Sequence, residues 1–222
     1  METGVIGITK NKSIKYYAFM ISKRLFDLIC AIIGIIVLIP LMLIIKIAYV
    51  LHKDYNSIIY TQDRVGKDGK LFKLYKFRTM VPNADEVLDK ILKEDPLRRR
   101  EWQLTQKLHD DPRITKIGKV FRKASLDEMP QMINVLKGDM SIIGPRPLVK
   151  NELDNHNGIH ELYESVKPGI TGWWATNGRS DIEDYNERLN LEYYYINNIS
   201  IKIDTLVLFR TFKVIFNKKG AK

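Results

Sequence analysis

The stretch LICAIIGIIVLIPLMLII, residues 28–45, decides the architecture of this 222-residue chain, because it contains no charged residue. Its length is close to the roughly 20 residues that a membrane-spanning helix needs. Apolar residues cover every face of the predicted helix, whereas a buried core helix of a soluble protein keeps a polar face. A cleaved signal peptide fits less well, because the run starts late and no small-residue cleavage site follows it. The sequence therefore predicts a membrane helix.

The surroundings of this run favour a helix that enters the membrane and returns to the same face. Pro40 removes one backbone hydrogen bond and clashes with the preceding turn, so we expect a kink there. Positive residues favour the cytoplasmic side of a membrane. Both flanks are basic, with Lys10, Lys12, Lys15, Lys23 and Arg24 before the run and Lys46 and Lys53 after it. A simple span, which would place one basic flank outside, is the alternative.

Short elements are predicted after the membrane helix. Asp68-Gly69 is a hairpin-turn signal between two aliphatic and aromatic runs, so residues 57–80 are expected to form a β-hairpin. Pro96 should divide residues 83–108 into two helices, because proline interrupts the backbone hydrogen bonds of a helix. Asn83 is the expected N-cap of the first of these helices.

The last third of the sequence predicts a glycine-rich loop at residues 167–180 and two further helices, around 182–197 and 203–217. The final helix carries bulky apolar residues beside bases, so it either lies in the lipid headgroup plane or packs its apolar face into the core. We expect an α+β fold with an N-terminal re-entrant membrane helix, a small β-hairpin and several amphipathic helices lying at the membrane surface. The expected segments are a lead-in at 1–22, the re-entrant helix at 23–51 and a cytoplasmic, membrane-associated catalytic domain at 52–222.

The overall charge indicates an anionic partner. The formal net charge is +10, which suits nucleic acid, anionic lipid or a phosphorylated substrate. No helix-turn-helix, zinc-finger or RNA-motif signature appears, so we expect no nucleic-acid partner. Cys30 is the only cysteine, so no internal disulfide can form. No residue indicates an oligomeric state.

Two adjacent acids, Asp127 and Glu128, are the candidate catalytic residues. Ser125 and Glu128 have the spacing of a capping box at the start of a helix that should end at Gly138, and acids in a first turn also suit the helix dipole without any catalysis. The surrounding bases favour a chemical role, because a carboxylate held near phosphates can act as a nucleophile and a second one can bind Mg²⁺. These bases are Arg113, Lys116, Lys119, Arg122, Lys123 and Arg146.

Four basic residues are candidates for binding substrate phosphates. Arginine pairs with phosphate oxygens through two parallel hydrogen bonds, which makes Arg78, Arg122 and Arg146 candidate phosphate clamps. Arg146 lies between Pro145 and Pro147, and two prolines stiffen the backbone around it. The fourth candidate is Lys76, near the end of the second strand of the predicted hairpin.

These motifs together resemble the bacterial sugar transferase family, the monotopic phosphoglycosyl transferases. The matching stretches run in order along nearly the whole chain from Lys23. They are KRLFDLICA at 23–31, YKFRTM at 75–80, DDPRITKIGKVFRKASLDEMPQMINVLKGDMSIIGPRPL at 110–148 and KPGITGWWATNGR at 167–179.

The resemblance implies that Asp127 attacks the β-phosphate of a UDP-sugar and releases UMP. Undecaprenyl phosphate would then accept the sugar phosphate from the aspartyl intermediate, and this step initiates capsule or exopolysaccharide assembly. Glu128 would be the Mg²⁺ ligand, Arg122 would bind the polyprenyl phosphate, and Arg146 would be the arginine of the family's Pro-Arg-Pro loop. The expected location is the cytoplasmic face of the bacterial inner membrane, in contact with its lipids.

One departure and two rival functions accompany this resemblance. Small members of the family have Ser-Pro at the helix break, whereas this chain has Ile39-Pro40, and isoleucine cannot satisfy carbonyls freed at a kink. One rival function is a membrane glycosyltransferase that moves only the sugar and releases UDP. The other is a non-catalytic basic membrane scaffold.

Overall fold

The computed structural model describes residues 14–105, 108–156, 158–178, 182 and 184–217. It is a mixture of helices and short strands, which confirms the predicted α+β class. The helices are α1 (Ile14–Leu51), α2 (Ala84–Glu94), α3 (Pro96–Thr105), α4 (Lys116–Lys123), α5 (Gln131–Lys137), α6 (His160–Tyr163), α7 (Trp173–Asn177), α8 (Tyr185–Asn197) and α9 (Ile201–Asn217), and the strands are β1 (Ile59–Val65), β2 (Leu71–Phe77), β3 (Ser141–Ile143) and β4 (Gly169–Thr171).

Helix α1 is long and apolar enough to cross a membrane. Its 38 residues extend about 57 Å at the usual helical rise, which exceeds the roughly 30 Å of a bilayer's hydrocarbon core. The helix already begins at Ile14, inside the segment 1–22 predicted as a lead-in, while residues 1–13 lie outside the described residues. It is assigned as one helix through Pro40. Return of this helix to the same membrane face stays a prediction.

One narrow stripe of α1 packs against the rest of the protein. Polar anchors hold its N-terminal half: Lys23 forms an ion pair with Asp204 of α9, with Nζ and Oδ2 2.7 Å apart. The Asp27 carboxylate accepts hydrogen bonds from the Ser141 hydroxyl at 3.0 Å and from the Ile142 amide at 2.9 Å. Much of the remaining helix surface is apolar and exposed, for example at Ile29, Ile36 and Leu43. Helix α1 is therefore built into the core of the domain that follows it.

The predicted β-hairpin is confirmed. Strands β1 and β2 pair antiparallel, with Ile59 opposite Phe77 and Val65 opposite Leu71. Both Asp68 and Gly69 adopt positive φ, at 57° and 70°, which lets the chain reverse. Asn134 of α5 supports the second strand from the side. Its side-chain oxygen accepts the Tyr75 amide at 3.1 Å, and its side-chain nitrogen donates to a carbonyl of the same strand.

The helix boundaries confirm some expectations and correct one. Pro96 does separate α2 from α3, and Gly138 ends α5 at a φ of 91°. The capping box at Ser125 is wrong, because Ser125 is left-handed at a φ of 53° and its side chain caps nothing. Asp127 and Glu128 lie instead in a single 3-10 turn, Leu126–Glu128. The reason is that Pro130, which suits a helix start, delays α5 to Gln131.

Two further corrections concern side-chain capping and the glycine-rich loop. Asn83 precedes α2 as expected, but its side chain makes no capping hydrogen bond. Residues 167–180 do not form only a loop, because β4 lies there and pairs in parallel with β3, and α7 follows. The backbones of this pair are so close that a Cβ on Gly169 would lie 2.1 Å from the Gly144 nitrogen.

The two last helices occur where the sequence predicted them. Helix α9 buries Val207 completely in the main core and leaves Phe209 and Phe212 largely exposed. One side of α9 thus packs inward, and another side exposes bulky apolar residues. The placement of these helices at a membrane stays a prediction.

Candidate functional site

Three segments bring the predicted dyad and two bases together. Lys76 lies in β2, Arg122 in the last turn of α4, and Asp127 and Glu128 in the 3-10 turn that follows α4. The Lys76 ammonium lies 3.2 Å from Glu128 Oε1, and about a quarter of each side chain is exposed. The 3-10 turn therefore presents both acids next to the end of the hairpin, at a partly open position.

Asp127 occupies an electrostatically balanced position. Burial raises the pKa of Asp127 above its usual value, and the neighbouring Glu128 carboxylate raises it further. Lys76 and Arg122 oppose this effect, because positive charges stabilise the ionised form. A half-buried carboxylate between two cations can remain ionised with fewer water molecules around it. Such a carboxylate is better suited to attack an electrophile than a fully hydrated one.

Arg122 is held by one nitrogen. Its Nε donates a hydrogen bond to the Thr79 hydroxyl at 3.0 Å. Within the described part of the chain, its two terminal nitrogens form no hydrogen bond or ion pair. Burial lowers the pKa of Arg122, while the nearby Asp127 and Asp111 raise it. The guanidinium thus offers two free donors next to Asp127, which is the geometry that binds a phosphate in two-pronged fashion.

Arg78 differs from Arg122, because the protein itself uses all three of its nitrogens. Nε donates to the Ser57 carbonyl at 2.7 Å, and the terminal nitrogens reach the Met80 carbonyl at 3.0 Å and Asp54 Oδ2 at 2.8 Å. Its guanidinium also lies over the Tyr49 ring, and the Tyr49 hydroxyl donates to the Arg78 carbonyl. The geometry therefore makes Arg78 a structural brace between α1 and the hairpin, and it gives no support to the predicted phosphate clamp.

Arg146 belongs to a second cluster. Its amide donates to Glu192 Oε1 at 3.0 Å, and its carbonyl accepts the Tyr163 hydroxyl at 2.9 Å, so its loop is fixed from both sides. The exposed guanidinium lies over the Trp174 ring at 5.9 Å. Among the described residues, none of its contacts is with the Asp127–Glu128 dyad. These two hydrogen bonds add to the expected effect of the flanking prolines, and the approach of Arg146 to the dyad stays a prediction.

The second cluster contains residues that sequence reasoning missed. Arg188 lies between the Trp174 and Tyr185 rings, 4.8 and 4.7 Å from their centroids, and pairs with Glu152 at 3.4 Å. Glu192 is fully buried, and burial raises its pKa to about 7. These residues come from separate parts of the chain and carry no local motif. Only the i, i+4 spacing of Arg188 and Glu192 in one predicted helix hinted that they share a face.

The dyad fits Mg²⁺ only with help from a substrate. No cluster of three or more metal-binding side chains occurs in residues 14–105, 108–156, 158–178, 182 and 184–217. Mg²⁺ commonly uses one or two carboxylates and takes its other ligands from water and substrate phosphates. Glu128 Oε1 faces Lys76, whereas its other oxygen makes no hydrogen bond to the described residues. That oxygen is the one with which Glu128 would bind the metal, with water and substrate phosphates as the other ligands.

With this geometry established, comparison with known proteins gives the family. The chain matches the model of the bacterial sugar transferase family over residues 17–218, and it belongs to that family. It is 46% identical over 199 residues to the undecaprenyl-phosphate galactose phosphotransferase of Salmonella typhimurium, an alignment covering 90% of this chain and 41% of that protein. It is 43% identical over 199 residues to the UDP-galactose-lipid carrier transferase of Erwinia amylovora, covering 90% of this chain and 41% of that protein.

A shorter relative is covered almost completely. The exopolysaccharide production protein ExoY of Sinorhizobium fredii is 42% identical over 201 residues, which are 90% of this chain and 88% of that protein. The chain thus spans less than half of the two longer relatives and nearly all of the shorter one. The predicted family resemblance is confirmed.

Proposed function

We propose that this protein transfers a sugar-1-phosphate from a UDP-sugar to undecaprenyl phosphate, as the first step of a surface polysaccharide or glycoconjugate. The observation that carries the proposal is the half-buried Asp127 beside Glu128, placed between Lys76 and the free terminal nitrogens of Arg122. The names of the Salmonella and Erwinia relatives describe transfer of this kind.

The chemistry follows from the placement of Asp127. An Asp127 carboxylate oxygen attacks the β-phosphorus, a new O–P bond forms, and the bond between that phosphorus and the bridging oxygen breaks, so that UMP leaves. A phosphate oxygen of the lipid then attacks the same phosphorus and displaces the carboxylate, which regenerates Asp127. The product is a polyprenyl diphosphate sugar. Two successive displacements need only one nucleophile, which agrees with one half-buried aspartate.

The remaining residues bind phosphate and neutralise charge. Arg122 directs its two terminal nitrogens to the lipid phosphate. The Lys76 ammonium pairs with Glu128 and also attracts the phosphates of the UDP-sugar. Glu128 would hold Mg²⁺, which when bound neutralises charge on the transferring phosphoryl group. Arg146 would reach the donor phosphates from its braced loop. Arg78 supports the site as a brace, because its three nitrogens already bond to the chain itself.

Nucleotide release is the decisive experiment. Purified protein in nanodiscs would receive Mg²⁺, undecaprenyl phosphate and either UDP-galactose, UDP-glucose or a UDP-N-acetylhexosamine, with UMP and UDP quantified separately. Release of more than one UMP per protein molecule that needs both metal and lipid supports the proposal, because the first displacement alone gives at most one UMP per protein. UDP-galactose is the first donor to test because two relatives are named for galactose. UDP release would establish the sugar-only glycosyltransferase instead. No nucleotide with any donor, despite tight lipid binding, would favour the basic scaffold.

A matched pair of variants tests the aspartyl step. Asp127→Asn should abolish UMP release, because an amide is a poor nucleophile, while Asp63→Asn on the exposed hairpin surface should keep it. A donor labelled in the sugar, incubated without lipid, should label the wild-type protein and the Asp63 variant but not the Asp127 variant. Near wild-type turnover by Asp127→Asn would refute the mechanism.

We also propose that both ends of α1 face the cytoplasm. Because Cys30 is the only cysteine, Cys30→Ser gives a background in which single cysteines can be introduced at Lys15 and Lys53. Both positions should react with a membrane-impermeant maleimide in inverted vesicles and neither in intact spheroplasts. Labelling of one position from each side would establish a simple span.

A further inference from the structure

We propose that Thr79 is a positioning residue that directs the terminal nitrogens of Arg122 toward the phosphate of the lipid acceptor. The inference rests on the proposed function, because it assigns Arg122 a substrate. Thr79 itself is only 7% exposed, and its hydroxyl contacts the site through Arg122, so we expect it to act through that residue.

The backbone of Thr79 is the point where α4 contacts the end of the hairpin. Its carbonyl accepts the Thr115 amide at 3.0 Å and the Thr115 hydroxyl at 3.3 Å. The Thr115 hydroxyl in turn accepts the Gly118 amide at 2.9 Å and caps α4. A Cβ on Gly118 would lie 2.0 Å from the Thr79 carbonyl oxygen, so only glycine permits this approach. Helix α4 is therefore held directly against Thr79.

This close contact determines where Arg122 lies. Residues four apart occupy the same face of a helix, so Gly118 and Arg122 both face Thr79. The 3.0 Å hydrogen bond from Arg122 Nε to the Thr79 hydroxyl then fixes the plane of the guanidinium. A guanidinium is flat and its donors have fixed directions, so one bond at Nε limits the directions of the other two nitrogens. Those nitrogens form no other bond among the described residues, and Asp127 lies close enough to act on the Arg122 charge.

The neighbouring arginine shows that this arrangement is specific. All three nitrogens of Arg78 are used by the chain, as a structural arginine requires. Arg122 donates one hydrogen bond, to the Thr79 hydroxyl, and keeps its two terminal nitrogens for a ligand. A threonine hydroxyl at this position thus holds the arginine without occupying the donors that bind phosphate.

Two substitutions at Thr79 separate its hydroxyl from its shape. Thr79→Val keeps the branched side chain and the backbone contacts but removes the acceptor, whereas Thr79→Ser keeps the hydroxyl. We expect Thr79→Val to raise the KM for undecaprenyl phosphate about tenfold, the size of one lost hydrogen bond to a charged group. The rate of UMP release in the first half-reaction, measured without lipid, should change less than about twofold. Thr79→Ser should restore the KM.

Two controls exclude a general loss of structure. Asp184→Ala removes the side-chain cap of α8 and leaves the hydrogen bonds of Thr79 intact, so it should lower the Tm without the tenfold rise in KM. The variant Arg122→Lys lacks the Nε donor. In this background Thr79→Val should raise the KM hardly any further, because the effects of substituting two residues that act through one contact are not additive. An equal effect of Thr79→Val in both backgrounds, a defect of Thr79→Ser equal to that of Thr79→Val, or a matching KM rise in Asp184→Ala would overturn the inference.

Direct binding keeps this inference separate from the proposed reaction. Undecaprenyl phosphate affinity would be measured in nanodiscs without nucleotide for wild type and Thr79→Val. If no donor yields UMP but Thr79→Val still binds the lipid phosphate more weakly, the proposed reaction fails while the role of Thr79 holds. Equal affinities would reject the role of Thr79 whatever the reaction.

Discussion

Glu192 should make the stability of this protein depend on pH, and replacing it by glutamine should remove that dependence. The side chain is 1% exposed, Oε1 accepts the Arg146 amide at 3.0 Å, and Oε2 has no hydrogen-bond partner. Burial raises its pKa to about 7, although the Arg146 amide and the Arg188 and Arg146 charges pull it down. The folded protein therefore keeps a proton on Glu192 at pH values where the unfolded chain has lost it.

The direction and size of the effect follow from proton linkage. Between the unfolded pKa of 4.5 and the folded pKa of about 7, the folded state binds more protons, so stability falls as pH rises through this window and levels off above it. The difference between the two pKa values corresponds to about 3 kcal/mol of unfolding free energy. For a chain of this size that equals roughly 6–12 °C in Tm.

Glu192→Gln resembles the protonated state at every pH. The Tm of the variant minus that of wild type, measured by intrinsic fluorescence in detergent, should rise from pH 4.5 to pH 8 by this amount. Glu152→Gln is the contrast: burial raises the pKa of Glu152, but the Val149 amide and two arginines outweigh it and leave the pKa below its usual value. The ionised Glu152 stabilises the folded protein fully above the pKa of the unfolded chain, and this stabilisation is lost only as pH falls through the folded pKa. The Tm of Glu152→Gln minus that of wild type should therefore stay constant between pH 5 and 8. A flat or falling difference for Glu192→Gln would refute the reasoning.

Three further predictions concern the hairpin and the site. Asn134→Leu leaves two backbone groups of β2 without partners and should lower the unfolding free energy by about 3 kcal/mol in urea titrations. Gly118→Ala should push α4 away from Thr79, lowering the Tm and raising the lipid-phosphate KM together; an unchanged KM would contradict the described packing. Lys76→Met removes a charge that lowers the pKa of Asp127, so the acid limb of the kcat/KM profile should move to higher pH, while Lys73→Met on the exposed side should leave it unchanged.

Several features of the fold were predictable because their causes lie within a few residues. The uncharged run at 28–45 predicted the long apolar helix, and Asp68-Gly69 predicted the hairpin because both residues tolerate positive φ. Pro96 and Gly138 marked helix boundaries correctly. The predicted capping box at Ser125 is wrong because two other preferences compete with it. Pro130 favours a helix start near its own position, and Lys76 attracts the Glu128 carboxylate.

The sequence by itself was sufficient to choose the residue types of the site, namely two adjacent acids among bases in an ordered set of family motifs. The division of labour among the arginines required the tertiary structure. Arg122 meets Thr79 across 43 positions, and Lys76 meets Glu128 across 52. Arg78 and Arg122 have the same donors, yet two backbone carbonyls and Asp54 occupy all three nitrogens of Arg78, whereas Arg122 donates only through Nε among the described residues. Each hydrogen-bond donor of an arginine needs its own acceptor. The role of an arginine therefore depends on which acceptors the tertiary structure places beside it, and no local sequence pattern predicts this.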